Sequence, residues 1–521
     1  MHCPKYVISN MAKTLRLILG DQLNNNHSWY QKKDDSVTYI LLEVMQEQEY
    51  VMHHVQKILA FFAAMRNFAH QLTKKGHQVI YIKLDDEGNL QNFDKNLKRI
   101  IQKDGFTRFE YQLPDEYRLD EQLKAFSHTL NIETGIADTE HFLTERLDVQ
   151  NFFSSKKSYL MESFYRHMRN KLHILMQGDD PLGNRWNFDA DNRKKYDGKV
   201  PLEDAITFDH NVTELKAMID RMKVKYFGNV DAGHFPWPLS RQEALKSLQY
   251  FCDNLLPYFG TYEDAMLQEH ISLFHSRMSF AQNVKMISPV EIVAKVLSHY
   301  EQNKDTISLA QVEGYIRQVI GWREFMRGVY WAQMPEFETL NFLNHKTEIP
   351  HWYWDGNTKM NCLHKCIGQS LDHAWAHHIQ RLMVIGNFSM LAGINPDDVD
   401  AWYLGIYIDA MQWVEITNTR GMSQFADGGI IGSKPYAASA AYINKMSDYC
   451  KHCHYDYKKK VGDRACPFNS LYCNFFERNA EKLQNNPRIG MAYVTLKKMK
   501  PEEKALLMEQ AEKYLGDLNG L

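Results

Sequence analysis

The chain has no apolar run approaching the roughly 18 residues that a membrane span requires. Its opening stretch, MHCPKYVISNMAKTLRLILG, has no cleavable signal pattern. A cytoplasmic protein is expected, with residues before about Lys13 a loose extension. Charge of either sign is not in excess: 61 Lys and Arg stand against 64 Asp and Glu, a formal net charge of −3. A global field that draws in nucleic acid is thereby excluded, and any such contact needs a local basic patch. No internal repeat and no low-complexity tract is present, which sets aside solenoids and disordered arrays. Cysteines are few, eight in 521 residues, at 3, 252, 362, 366, 450, 453, 466 and 473. A secreted disulfide framework does not fit so long a chain with its cysteines crowded into the last third.

What is present first is β–α alternation. LRLILG, TYILLEV, VIYIKL and FEYQL read as strands, and the run from about Tyr50 to Lys75 reads as a helix. Val51, Val55, Ile58, Leu59, Phe62 and Met65 share one side of that helix, and Gly76 ends it as a C-cap would. EYRLDEQLKAF reads as a second helical segment. The pattern predicts an α/β domain with a doubly wound, mostly parallel sheet over residues 14–150. Ligands of such sheets lie outside the carboxyl ends of the strands. The turn after the first strand is GDQLNNN, not GxGxxG, so a dinucleotide site of the usual kind is not supported. Asp21 and Gln22 in that turn remain able to hold a small polar ligand.

Residues 151–235 read as a charged, irregular linker. Within it NRWNFDADNRKKY sets Asp189 and Asp191 beside Arg185, Arg193, Lys194 and Lys195. A solvated loop gives that pattern, and so does a loop that meets phosphates while the acidic pair holds a divalent cation such as Mg2+. DAGHFPWPLSR marks a boundary, its prolines excluding helix. Residues 236–521 are helical by period, an all-α domain. HSRMSF offers Ser276 and Ser279 near a helix start, suited to phosphate oxygens. GYIRQVIGWREFMRGVYW is a helix carrying Gln318.

Two late stretches carry the densest chemistry. SLDHAWAHHIQRLMVIGNF is read as one helix, N-capped by Ser370, with His377 and His378 just ahead of Arg381. WYLGIYIDAMQWVEI is read as another, setting Asp409 and Glu415 among Trp402, Tyr403 and Trp413. A buried aromatic helix pair with a few satisfied polar residues would give the same pattern. Two carboxylates, two histidines and an arginine are nevertheless a costly set to bury, and a large flat ligand accounts for them. Cys450-Lys-His-Cys453 followed by Cys466-Pro467 is the most specific local signal: CxxC thiolates converge on one metal centre. Spacing alone leaves open a four-ligand zinc, with His452 or His454 or a distant cysteine completing it, an iron–sulfur cluster with Cys362 as the natural fourth ligand and Cys366 and Cys473 as competitors, and buried free thiols.

HSRMSF with ISP (287–289), WREF (322–325), and HHIQRLM followed by IDAMQWVE resemble the photolyase/cryptochrome flavoproteins. GDQL, Cys362 and the CxxC at 450 and 453 with Cys466-Pro467 resemble the prokaryotic iron–sulfur branch of that family, over residues 14–500. The resemblance implies an antenna-binding α/β domain and a helical domain holding a U-shaped FAD. It implies 6,7-dimethyl-8-ribityllumazine near Asp21 and Gln22, and a [4Fe-4S] cluster on Cys362, Cys450, Cys453 and Cys466. For FAD it implies Ser276, Met278, Ser279, Gln318, Arg381 and Asp409, with Glu415 where many photolyases have Asn. Trp354, Trp402 and Tyr403 are the implied stations for electron entry. His377 and His378 would face the lesion, with Tyr436 and Met422 lining its pocket and Arg193 and Lys194 on the DNA. The implied activity is light-driven repair of (6-4) photoproducts in UV-damaged DNA by a monomer, with a cryptochrome-like photoreceptor as the alternative. A histidine with a pKa near neutrality is the expected lesion acid.

Overall fold

The computed structural model describes residues 13–156 and 159–521; Cys3 and most of the expected N-terminal extension lie outside them. Five parallel strands form the N-terminal sheet. They are β1 (Thr14–Leu17), β2 (Val37–Leu42), β3 (Gln78–Ile82), β4 (Arg108–Gln112) and β5 (Glu133–Ala137). Their order is β3-β2-β1-β4-β5. Leu15, Leu17, Ile40 and Leu42 are buried together in the core of this domain, as strands covered on both faces require. The order reverses at β1, so the switch point falls at the Gly20–Asp21 turn, where ligands of such sheets bind.

Three helices cover the sheet: α1 (Val55–Lys74), α2 (Phe93–Asp104) and α3 (Tyr117–His128). His54 caps α1 by accepting from the Gln56 N–H, and Gly76 follows its end at φ +87°. The four strands and two helical segments read from the sequence are present. β5 and α2 were not read. In β5 the residues of ETGIA are at most half-buried, so an edge strand left no apolar alternation to find. The linker is less irregular than expected: residues 151–235 hold α4 (Met161–Leu172) and α5 (Thr213–Arg221). Met161, Phe164, Tyr165 and Met168 of α4 are buried, and the Tyr165 hydroxyl donates to Glu313 at 2.9 Å. The linker is thereby part of the helical domain's packing.

Among the described residues, every named element from Arg241 onward is helical. Those that build the site are α6 (Ser279–Asn283), α7 (Asn361–His373), α8 (Pro396–Ile406), α9 (Gln412–Ile416) and α10 (Pro467–Arg478). Two expectations fail here. Ser370 is no N-cap: it lies inside α7, fully buried, its hydroxyl donating to the Cys366 carbonyl. The chain breaks after it, at Ala374–His377, where Ala374 takes φ +49° and its carbonyl accepts from the Ile408 N–H. WYLGIYIDAMQWVEI is likewise two helices, α8 and α9, and Asp409 stands in the gap.

The domains meet closely. Lys57 of α1 is buried and donates to the Leu404 and Ala410 carbonyls, each at 2.7 Å. Gly405 lies against the N-terminal domain so tightly that a Cβ there would stand 2.3 Å from the Met52 carbonyl oxygen. Backbone cannot yield as a side chain does, so Gly405→Ala is expected to destabilise the chain by about 1–3 kcal/mol. Thermal unfolding at the wild-type temperature would contradict that contact.

Candidate flavin, cluster and lesion sites

The break at Ala374–His377 and the gap at Asp409 face each other. Arg381 binds Asp409 by two bonds, at 2.9 and 3.1 Å, and stacks its guanidinium 3.7 Å above Tyr407. Ser279, the first residue of α6, donates to the same carboxylate at 2.5 Å, and Asn283 donates to the Asp409 carbonyl at 2.8 Å. Three distant segments, HSRMS, HHIQR and IDAM, are thus tied into one knot. Met278 is buried, and Gln318 is half-buried in the widened helical turn Arg317–Arg323. Ser276 accepts from Tyr315 at 3.4 Å. α6 has only five residues, so phosphate oxygens here would rely on hydroxyls and backbone N–H groups more than on a helix dipole.

Buried polar atoms without a protein partner accompany the knot: both ring nitrogens of His377, Nε2 of His275, Nε2 of Gln282 and Oε1 of Glu415. Folded proteins pair nearly all such atoms, so a polar ligand among these segments fits the donor set. Burial, then the neighbouring Asp400 charge, raises the Glu415 carboxyl well above its usual pKa of 4.5. The protonated form is thereby favoured, and it can donate a hydrogen bond. Its stability contribution is complete below 4.5 and is lost as pH rises through the folded value. Wild type should therefore lose melting temperature relative to Glu415→Gln as pH rises above 4.5. Parallel melting curves would contradict the assignment.

His275 and His377 stack, ring centroids 4.7 Å apart and planes within 11°. His378 reaches solvent beside them. The surrounding protein mass, then Arg381 and Arg193, depress its pKa to about 4, and His377 is pushed well below 6.5. The histidine expected near neutrality is instead lowered, first by the surrounding protein mass and then by the Arg381 and Arg193 charges. Met422 and Tyr436 come together across Gly432. The linker loop reaches them: Arg193 and Lys194 donate backbone N–H groups to the Gly260 and Thr261 carbonyls. Arg193 acts electrostatically on His378 and Tyr436 alike. Asp191 pairs with Arg185 at 2.7 Å, and Asp189 with Arg193 at 3.3 Å and with Arg317. Arginines neutralise that acidic pair, so it does not support the expected divalent cation.

Trp402 and Tyr403 are buried with rings 5.3 Å apart, and the Tyr403 hydroxyl donates to the Arg381 carbonyl at 2.6 Å. Trp354 is 38% exposed and packs on Phe227, away from that pair. Sequence reasoning missed Tyr353, 5.2 Å from Trp402, and Tyr407, 5.6 Å from Tyr403. Their contiguity in sequence with Trp354 and Tyr403 was the available signal.

Cys362, Cys450, Cys453 and Cys466 line one small cavity with Tyr449, Tyr455 and Phe468. Cys366 and Cys473 are not among its walls. Among the described residues no three His, Cys, Asp or Glu lie close enough to share one ion. A tetrahedral zinc needs its sulfurs drawn to a point, whereas thiols spread around a cavity suit a cluster that brings its own iron and sulfide. Burial, then neighbouring thiols, pushes Cys450 up to about 12 and raises Cys362 well above its usual value. The protonated thiols are thereby favoured, and only a cationic centre would hold them as thiolates.

A second cavity, with about 870 Å³ of empty space, opens at the switch point of the sheet. Asp21, Tyr50, Lys57, Asp115 and Glu116 line it, and Ala410–Trp413 close its far side. Gln22 does not reach it: the side chain is buried, accepting from Leu19 and donating to the Gln112 carbonyl. Lys285 of the helical domain holds Asp21 at 3.0 Å and Asp115 at 2.7 Å. Lys57, Glu116 and Lys285 were not found from sequence, although a lysine inside the apolar run of α1 was a visible anomaly. The Asp409 gap is thus a shared wall between this cavity and the Arg381 knot.

A parallel α/β domain closed onto a helical domain is the architecture of two solved structures. One is a class III photolyase from Agrobacterium tumefaciens (TM-score 0.56, 15% identity, 95% of this chain and 100% of that one). The other is a cryptochrome from Synechocystis sp. PCC6803 (TM-score 0.53, 14% identity, 79% and 83%). These define the fold class. The family model for deoxyribodipyrimidine photo-lyase-related protein matches residues 16–235. A (6-4) photolyase of Agrobacterium fabrum is 41% identical over 510 residues, 97% of this chain and 99% of that protein. An uncharacterized mimivirus protein is 33% identical over 120 residues, 23% of this chain and 90% of its own length. The chain belongs to the photolyase/cryptochrome family. No helix among the described residues is long and apolar enough to cross a membrane.

Proposed function

We propose that the chain repairs (6-4) pyrimidine–pyrimidone photoproducts in UV-damaged DNA by a light-driven reaction with bound FAD. The observation that carries the reading is the Ser279–Asp409–Arg381 knot beside His377 and His378, within a chain 41% identical to a (6-4) photolyase along nearly its whole length. FAD, when bound, supplies the light-excited electron donor. The chain's residues do the rest. Arg381 and Asp409 fix the ring system, and Ser276, Met278 and Ser279 meet its phosphates. Glu415, whose Oε1 has no protein partner, would be a hydrogen-bond partner for the ring. Trp402, Tyr403 and Tyr407, with the exposed Trp354, feed electrons from the surface.

A damaged dinucleotide must leave the stack before chemistry, and its weakened pairing supplies selectivity. Met422 and Tyr436 offer the apolar wall for it, and Arg193 and Lys194 the positive rim. His378 carries the proton that accompanies the hydroxyl group, and His377 orients it. Asp21, with Lys57, Asp115 and Glu116, holds 6,7-dimethyl-8-ribityllumazine in the switch-point cavity, and Cys362, Cys450, Cys453 and Cys466 hold a [4Fe-4S] cluster. The domains run 14–150, 151–235 and 236–521.

The cluster's role is chiefly to pin the α10 segment to the start of α7. Cys453→Ala should lower soluble yield and flavin content together; a variant that folds, binds flavin and lacks iron would contradict it. The function itself is tested by illuminating the reduced protein with oligonucleotides carrying a (6-4) lesion or a cyclobutane dimer. Restoration of the (6-4) lesion in light and not in darkness is expected. Retained flavin with neither lesion repaired would mark a light sensor instead.

A further inference from the structure

The histidine turn is held from behind by a buried amide network outside the reacting groups. The Gln380 side-chain carbonyl accepts the His377 backbone N–H at 3.1 Å, as the third residue of a capping box does. Its amide nitrogen donates to Gln369 Oε1 at 2.9 Å and to the Tyr449 hydroxyl at 3.0 Å. Gln369 returns an N–H to Gln380 at 3.1 Å and also donates to the Trp375 carbonyl at 3.2 Å, inside the break itself. Gln380 and Tyr449 are each 1% exposed, so these bonds have no competition from water.

Tyr449 stands between two sites. It lines the cysteine cavity and immediately precedes Cys450. Its hydroxyl accepts from the Cys366 thiol at 3.5 Å, one helical turn beyond Cys362, and its carbonyl accepts from Asn361 at 2.8 Å. Helix α7 runs from Cys362 directly to the break that carries His377. The cavity therefore reaches the turn by two routes, along the helix and through the Tyr449–Gln380 bond.

We propose that Gln380 is the positioning residue for the His377–His378 turn, and that Tyr449 couples that turn to the cysteine-lined cavity. The inference rests on the repair reading above. A Gln380 free to rotate would release the His377 N–H and let the turn drift by a fraction of an ångström. Displacement of that order lowers rates while leaving binding intact. The network makes no hydrogen bond to Asp409 or Ser279. Arg381 meets the turn through its own bonds, from Nε to the Ala376 carbonyl at 2.7 Å and from its backbone N–H to the His377 carbonyl at 3.2 Å, so flavin retention should survive the loss of Gln380.

The test uses the full-length holoprotein with Tyr449→Phe, which removes one oxygen, Gln380→Met, which removes every side-chain hydrogen bond of Gln380, and the double variant. Iron and flavin content, affinity for (6-4) DNA and repair rate at saturating DNA are measured for each. Expected are unchanged iron, flavin and affinity, with repair about tenfold slower in Tyr449→Phe and slower still in Gln380→Met. The double variant should match Gln380→Met, because both changes act through one bond. Gln380→Glu, which keeps an acceptor for the His377 N–H, should recover part of the Gln380→Met loss. Full-rate repair by both single variants would overturn the inference, as would additive losses in the double variant. Loss of iron and flavin in Gln380→Met, which is not among the walls of the cysteine cavity, would reduce the network to a folding element and overturn it too. Wild type that holds flavin yet repairs no lesion in light overturns the underlying reading instead.

Discussion

Replacing His378 with alanine is expected to leave FAD bound and photoreducible while lowering (6-4) repair about a hundredfold or more. General acids of this kind contribute about 10²–10⁴ in rate. The His378 ring is open to solvent at the mouth of the site, so its truncation leaves no buried cavity and should not disturb the fold. Its depressed pKa follows from the surrounding protein mass and then from Arg381 and Arg193. Removing the Arg193 charge should therefore raise the His378 pKa. Arg193→Gln tests that direction by NMR titration of the imidazole in the DNA-free protein, and an unmoved titration would contradict it. Full repair by His378→Ala would remove the assignment.

Asp409→Ala should abolish flavin binding and destabilise the chain together. The change leaves the Arg381 guanidinium, its side chain only 20% exposed, without its carboxylate. Breaking one partner of a buried pair costs about 3–5 kcal/mol, and Ser279 loses its acceptor as well. Lower thermal stability and a colourless protein are the joint outcome. A variant that keeps flavin at wild-type occupancy would show that the ion pair is not the clamp.

Periodicity and turn chemistry carried most of the N-terminal domain: apolar runs of four to six residues, a glycine ending α1 and the β–α alternation define a parallel sheet locally. What escaped was set by tertiary contact. β5 is an edge strand without a buried stripe. The Ala374–His377 break is held from elsewhere in the chain by the Ile408 N–H, and its local sign, Gln380 three residues beyond His377, is faint without a Ser or Thr at the cap. Ser370 has the chemistry of an N-cap, yet Cys366 one turn earlier takes its hydroxyl. Gln22 is polar in a turn and is consumed by the turn itself. By contrast CxxC and Cys-Pro are local and were legible as a pattern, while spacing left Cys362 in competition with Cys366 and Cys473; Cys362 is the one that shares a cavity with the other three. Lys57, Lys285, Gln380 and Tyr449 lie outside any motif; only the packing of one domain or helix on another gives them roles.

The account depends on an isoalloxazine ring held by Arg381, Asp409 and Ser279 between the late helices. The flavin content of the purified chain tests it most directly, read from the absorption spectrum before and after denaturation. One FAD per chain, lost in Asp409→Ala and retained in His378→Ala, is the predicted result. A wild-type protein that folds, melts cooperatively and takes up no FAD on reconstitution would contradict it.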